Sequence, residues 1–138
     1  MTPSPIPAAA ASAPLAQPIG NGVYLIDTLY LRPGLAASHL VVDEGRAAFV
    51  DTGAAPAAPR LLAALDELGI GRDQVDYLFL THVHLDHAGG AGQLMQALPN
   101  ARAVLHPRGA PHLVDPTRLI AGSIAVYGEA LYRQLYGE

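Results

Sequence analysis

Three of the chain's six histidines fall within six residues, in the stretch Thr81-His82-Val83-His84-Leu85-Asp86-His87-Ala88-Gly89-Gly90. Imidazole nitrogens suit zinc, iron and related ions, and a carboxylate adds charge and a hard oxygen donor. Four such groups in so short a loop cannot all wrap around one tetrahedral ion. A division is expected, with His82 and His84 on one ion and Asp86 and His87 on a second close by. Two ions about 3.5–4 Å apart share a water and draw its pKa towards 7, which yields a hydroxide at neutral pH. Asp86 would orient that nucleophile or carry its proton. The competing reading is a polar surface loop with scattered histidines. It requires three imidazoles and an acid to coincide directly after an apolar run, Tyr77-Leu78-Phe79-Leu80.

The elements around the loop are expected to present it. A buried strand over 75–80 leads in. If it continues briefly, His82, His84 and Asp86 share a side, and His87 breaks the parity so that the chain turns there. Gly89 and Gly90 make a turn and a close backbone approach cheap. Leu94, Met95 and Leu98 predict a short helix before Pro99. The result is strand, ligand-bearing loop and helix, at the strand end where open α/β sheets bind ligands. Upstream, Gly20-Asn21-Gly22 is turn material, and strands are predicted over 23–26, 38–42 and 47–50. A loop is expected over 30–34 and a hairpin turn at Asp43-Glu44-Gly45-Arg46. Residues 59–68 read as an amphipathic helix with Leu61, Leu62, Leu65 and Leu68 on one face, Pro59 in the first turn and Gly69 at the C-cap. Asp66 and Glu67 form its solvated face. Strand, helix, strand implies a parallel crossover in a layered α/β domain. Downstream, a short strand is expected over 102–105 and a helix from Asp115-Pro116-Thr117. Ile120, Ile124, Tyr127, Leu131 and Leu135 continue that helix, with Gly122 and Gly128 as weak points. Core packing is the preferred role for Tyr127, Tyr132 and Tyr136, and a lid or pocket wall is the alternative.

Outside the loop, Asp51 ends the strand over 47–50. Its spacing fits either a carboxylate that accepts a hydrogen bond from a metal-bound imidazole, fixing its tautomer, or a turn-forming aspartate. His39 lies within an apolar strand and reads as structural. His106 and His112 read as loop residues, with ligation the alternative, and Arg108 is a weak candidate for contact with an anionic substrate.

His-Val-His-Leu-Asp-His resembles the His-x-His-x-Asp-His signature of the metallo-β-lactamase-fold hydrolases, as does the Ala-Gly-Gly that follows. Val50-Asp51-Thr52-Gly53 resembles another recurrent element of that family. The resemblance runs from about residue 20 to the C-terminus and is strongest over 49–90. It implies an α/β fold, the metallo-β-lactamase-like αββα sandwich, with this chain covering the first β-sheet and its flanking helices. It implies metal ligation by His82, His84, Asp86 and His87, and it favours the hydrogen-bonding role for Asp51. Two Zn2+ ions per complete site are expected, and a ligand set without thiolate also admits iron or manganese. The implied reaction is attack by a metal-activated water on an ester, thioester, lactone or related bond of a small-molecule substrate. The family's complete site adds a further histidine and a bridging aspartate from the later half of the fold. His106, His112 and Asp115 stand in other surroundings. The expectation is therefore the N-terminal part of a longer hydrolase, weakly active or inactive alone. A non-catalytic metal-binding or interaction module is one alternative, and a homo-oligomer completing its site between chains is another.

Composition sets the remaining bounds. The chain has 138 residues, 51% of them hydrophobic, enough for one core. A net charge of −4 gives no support to nucleic-acid binding. With no cysteine there are no disulfides and no thiolate ligands. All eight basic residues are arginine, which together with abundant Ala, Gly and Pro resembles a GC-rich bacterial coding sequence. Residues 1–18 are rich in Ala, Pro and Ser and are expected to form a flexible tail, with 19–138 as the domain. No Lys or Arg precedes Arg32, so a signal peptide is not expected. No stretch suits a membrane span, and a cytoplasmic location follows as the expectation.

Overall fold

The computed structural model describes residues 14–136. Six strands lie in one sheet in their chain order. They are β1 (Ala16–Gly20), β2 (Val23–Asp27), β3 (Ala37–Asp43), β4 (Arg46–Val50), β5 (Val75–Phe79) and β6 (Arg102–Val104). Strands β1 to β4 form an antiparallel meander, and β4, β5 and β6 run parallel. Helix α1 (Ala58–Leu68) makes the first parallel crossover. The second passes through α2 (Leu85–Ala88) and α3 (Ala91–Ala97). Three further helices follow: α4 (Ala110–Val114), α5 (Thr117–Tyr127) and α6 (Glu129–Tyr136).

Side-chain alternation assigns the two faces of the sheet. Leu40, Phe49 and Leu78 sit side by side across β3, β4 and β5 and are fully buried. They pack with Leu61, Ala64 and Leu65 of α1 and with Leu94 of α3 and Leu98 just after it in a single core. The expected leucine face of α1 is therefore real, and Gly69 closes the helix in the left-handed conformation. The opposite face carries two rows that run across the sheet. One is Leu25, His39, Val50, Phe79 and Val104, and the other is Val23, Val41, Ala48, Tyr77 and Arg102. Val41, Tyr77, Phe79 and Val104 are between 37% and 44% exposed. The described chain is thus one sheet with helices packed on one face, and apolar residues also fill the other.

A polar clasp joins the amino ends of the parallel strands. The Arg46 guanidinium pairs with Asp76 and donates to the Asp73 carbonyl at 3.2 Å. Gln74 donates to the Gly45 carbonyl at 2.8 Å, and Asn100 donates to the Asp73 carbonyl at 2.8 Å.

Several expectations change. Ala16, Gln17 and Pro18 belong to edge strand β1 and not to a tail, and Ala16 is 2% exposed. Proline is tolerated on an edge because no neighbour needs its missing N–H. The Glu67 carboxylate accepts from the Leu15 and Ala16 N–H groups at 3.0 and 3.2 Å, so it anchors the strand as well as facing solvent. The rest of the expected tail, 1–13, lies outside the described residues. The long C-terminal helix is two helices, because Gly128 leaves helical geometry at φ 79°, ψ 158°. The turn after Leu105 leads into α4, which places His112 on a helix. Met95 faces outward, 37% exposed, while Leu94 and Leu98 are buried.

Candidate metal centre

The histidine loop leaves the carboxyl end of β5, beside the carboxyl end of β4. Parallel pairing brings the two chain ends together. The Asp51 N–H donates to the Phe79 carbonyl at 2.8 Å, and the Thr52 N–H donates to the His87 carbonyl at 2.7 Å. Gly90 seals the junction, since its N–H donates to the Gly53 carbonyl at 2.8 Å. A methyl group on Gly90 would lie 3.3 Å from the carbonyl oxygens of Thr52, Gly53 and Ala54 at once. Glycine makes this close approach easy, whereas a methyl group would require the carbonyls to give by a few tenths of an ångström.

Strand geometry ends at Phe79, so His82 and His84 are not placed by strand parity. The loop itself and the short helix α2 place them. The His82 ring sits edge-on to His84, with centroids 4.9 Å apart, and 4.4 Å from the His87 ring. The three imidazoles of the signature therefore converge. Among the described residues, donor atoms of Asp51, His82 and His87 lie within 4.8 Å of one another. This set pairs His82 with His87 and does not include His84, unlike the division expected from spacing.

Asp51 is 8% exposed and holds φ 61°, a left-handed conformation that costs a non-glycine residue about 1–2 kcal/mol. The bend turns its carboxylate onto the histidine loop. There it accepts from the Thr81 N–H at 2.9 Å and from the Thr81 hydroxyl at 3.0 and 2.8 Å. It also lies 3.4 Å from His87 Nδ1. Thr81 Oγ1 is 2.9 Å from His82 Nδ1. The hydroxyl has a single proton for these two contacts, and a carboxylate can only accept. The proton therefore points at Asp51, and Thr81 Oγ1 accepts from His82 Nδ1–H. This tautomer leaves the lone pair of His82 on Nε2, free for a metal. Spacing pointed to Asp51 but not to Thr81, whose part depends on a hydrogen bond that no motif records.

The donors suit an ion of the zinc type. Metal–ligand bonds of about 2.0–2.1 Å place tetrahedral ligand atoms roughly 3.3–3.4 Å apart. Asp86 Oδ2 and His87 Nε2 are 3.3 Å apart, so both can reach one ion without rearrangement. Asp51 is already engaged by Thr81, which fits a hydrogen-bond acceptor better than a ligand.

The remaining candidates stand outside this cluster. His39 lies on the open sheet face, in register with Leu25 and Val50. His106, Arg108 and His112 line a cavity of about 280 Å³ together with Thr81 and His82, but their nitrogens do not join the converging donors. His106 Nδ1 instead accepts from the Arg108 N–H at 3.1 Å. Tyr127 and Tyr136 do more than pack. With Tyr30 they line a cavity of about 520 Å³ that is also lined by His84, Leu85 and Asp86. Among the described residues no helix is long and apolar enough to cross a membrane.

Comparison with known proteins agrees with this geometry. Residues 31–134 match the family model of the metallo-beta-lactamase superfamily. A hydroxyacylglutathione hydrolase of Salmonella paratyphi A is 38% identical over 94 residues, which cover 65% of this chain and 34% of that protein. The chain thus spans about a third of the length of the curated relatives it matches. A metallo-beta-lactamase variant from Cronobacter sakazakii superposes with a TM-score of 0.62 at 26% identity, covering 70% of this chain and 36% of its own. A subclass B3 metallo-beta-lactamase of Bradyrhizobium japonicum shares the fold, with a TM-score of 0.61 at 20% identity over 73% of this chain and 36% of its own. The sheet order, the histidine loop and these likenesses agree: the chain belongs to the metallo-beta-lactamase superfamily, a family of metal-dependent hydrolases.

Proposed function

We propose that this chain carries the metal-binding half of a thioester or ester hydrolase, with His82, His84, Asp86 and His87 as ligands of a binuclear zinc site. The observation that carries the reading is the convergence of the His82, His84 and His87 rings beside the carboxyl ends of β4 and β5, with Asp86 Oδ2 3.3 Å from His87 Nε2. A thioester is favoured among the family's bonds because hydroxyacylglutathione hydrolases are among the relatives. Divalent ions bound here would draw the pKa of a water towards 7 and so supply a hydroxide at neutral pH.

The chain's own residues have separate tasks. Thr81 holds His82 with Nε2 free. Asp51 accepts from Thr81 and sits beside His87 Nδ1, so it sets the orientation of both rings. Asp86 places a carboxylate oxygen at the open side of His87, where it can align the nucleophile and take its proton. No further imidazole joins the cluster among the described residues. We therefore assign the isolated chain weaker metal retention and slower turnover than a site with its full ligand set.

Elemental analysis of purified, dialysed protein tests the site. With zinc kept in the dialysis buffer, the expected result is about two ions per chain, falling in Asp86→Ala and His87→Ala. Metal content that is unaffected by either substitution would overturn the ligand assignment. Thioester hydrolysis that is indifferent to a chelator would overturn the mechanism.

A further inference from the structure

The 520 Å³ cavity beside the histidine loop has features that the metal chemistry leaves unused. One wall is a stripe of α5, formed by Arg118, Leu119, Gly122, Ser123, Val126 and Tyr127. His84, Leu85 and Asp86 also line it, so the cavity adjoins the metal loop. The volume is of the size that takes a small organic molecule.

Arg118 is the second residue of α5, and a cation there opposes the helix dipole, so it is not placed for helix stability. Its side chain is exposed and, among the described residues, has no ion-pair or hydrogen-bond partner, a state it shares with Arg32, Arg72, Arg102 and Arg108, but of these five arginines only Arg118 lines this cavity. Its planar fork of donors matches a carboxylate in a bidentate pair.

The tyrosines supply a second polar feature. The Tyr30 hydroxyl bonds to those of Tyr136 at 2.6 Å and Tyr127 at 3.2 Å. Burial above all raises the phenols of Tyr30 and Tyr136 above the ordinary tyrosine range, and both stay protonated. Hydrogen bonding adds to the rise at Tyr136, whereas at Tyr30 the bond to Tyr127 raises the phenol and the bond to Tyr136 lowers it. Three hydroxyls carry three protons, and two hydrogen bonds use two of them. One O–H remains unspent within the cluster, beside a cavity also lined by apolar Leu85 and Leu119.

We propose that this cavity is the substrate-arm subsite and selects acyl substrates with a terminal carboxylate, which Arg118 pairs while the spare tyrosine O–H donates to a second oxygen of the substrate. The proposal rests on the hydrolase reading and adds the substrate class. Its test compares the succinyl and butyryl thioesters of one small neutral thiol, which differ in the terminal carboxylate, on the metal-loaded chain. The expected preference for the succinyl thioester is about tenfold in kcat/KM, carried by KM. In Arg118→Met the ratio should fall to about one, and Arg118→Lys should restore part of it. A ratio near one in the unaltered protein, or one that survives in Arg118→Met, overturns the proposal. Should neither thioester be cleaved, the hydrolase reading fails, and binding of glutarate followed by NMR decides the subsite alone. Binding that weakens about tenfold in Arg118→Met upholds it. Binding that is absent, or indifferent to the substitution, overturns it.

Discussion

Replacing Thr81 with valine removes one hydroxyl and almost no volume, so its effects report on hydrogen bonding. The Thr81 N–H still donates to Asp51 at 2.9 Å, and only the side-chain donor to that carboxylate is lost. A hydrogen bond to a charged group is worth about 1.5–3 kcal/mol. Thr81 is exposed and water can partly replace it, which places the expected loss at the lower end, near 1.5 kcal/mol. The same substitution frees the His82 ring to change tautomer and rotate. Loss of a group that orients a metal ligand costs roughly 10–100-fold in affinity, and the lower figure equals about 1.4 kcal/mol. Thr81→Val is therefore expected to lose about 1.5 kcal/mol of metal-free stability and to bind zinc about tenfold more weakly, with Thr81→Ser close to the unaltered protein. A competition titration against a chromophoric chelator measures the affinity, and urea unfolding of the metal-free protein measures stability. Unchanged zinc affinity in Thr81→Val would refute the link from Asp51 through Thr81 to His82.

Three further predictions concern the scaffold. Gly90→Ala pushes a methyl group against three backbone carbonyls, so overpacking of about 1–3 kcal/mol and weaker metal retention are expected together; a variant that loses stability but keeps its metal would separate the two. Leu78→Ala empties a fully buried site in the core, and a loss of about 2–5 kcal/mol by urea unfolding is expected, with an unchanged slope. Alkaline stability follows from Tyr136, whose phenol titrates higher in the folded chain than the unfolded value near 10. Above that pH the unfolded state binds fewer protons than the folded one, so stability is level below about pH 10 and falls as pH rises beyond it. Tyr136→Phe removes this contribution and should flatten the alkaline fall in urea midpoints; an equally steep fall would remove Tyr136 as its cause.

Much of this architecture was legible from periodicity. Leu61, Leu65 and the strands around Phe49 and Leu78 carry patterns that one buried layer enforces, and the histidine loop carries its chemistry in residue types. What escaped depends on contacts distant in the chain. Ala16 to Pro18 has little strand propensity, and Glu67 helps to hold it in the sheet from α1, 51 residues away at Ala16. Spacing could not reveal that β5 stops at Phe79, so the parity argument for His82 and His84 used a strand that was not there. The break at Gly128 was marked only as a weak point. It lets α6 fold back so that Tyr136 meets Tyr30, the contact that turns a packing stripe into one wall of a cavity.

The clasp at the amino ends of the strands bears on the metal site at their other ends. Slipping β5 by one residue against β4 would put Tyr77 or Phe79, according to direction, where Leu78 now lies. Packing of the fully buried Leu78 favours the observed alignment over the slipped one, because the half-exposed Tyr77 and Phe79 are larger than the place it fills. Asp76 can meet Arg46, and Gln74 the Gly45 carbonyl, in only one of them. These polar contacts contribute little free energy, being open to water. They act as an index mark for the sheet. A slip would carry the histidine loop about 3.3 Å along Asp51 and part the carboxylate from Thr81. The surface pairing of Arg46 and Asp76 thereby reinforces, from a strand's length away, the alignment on which the spacing of the metal ligands depends.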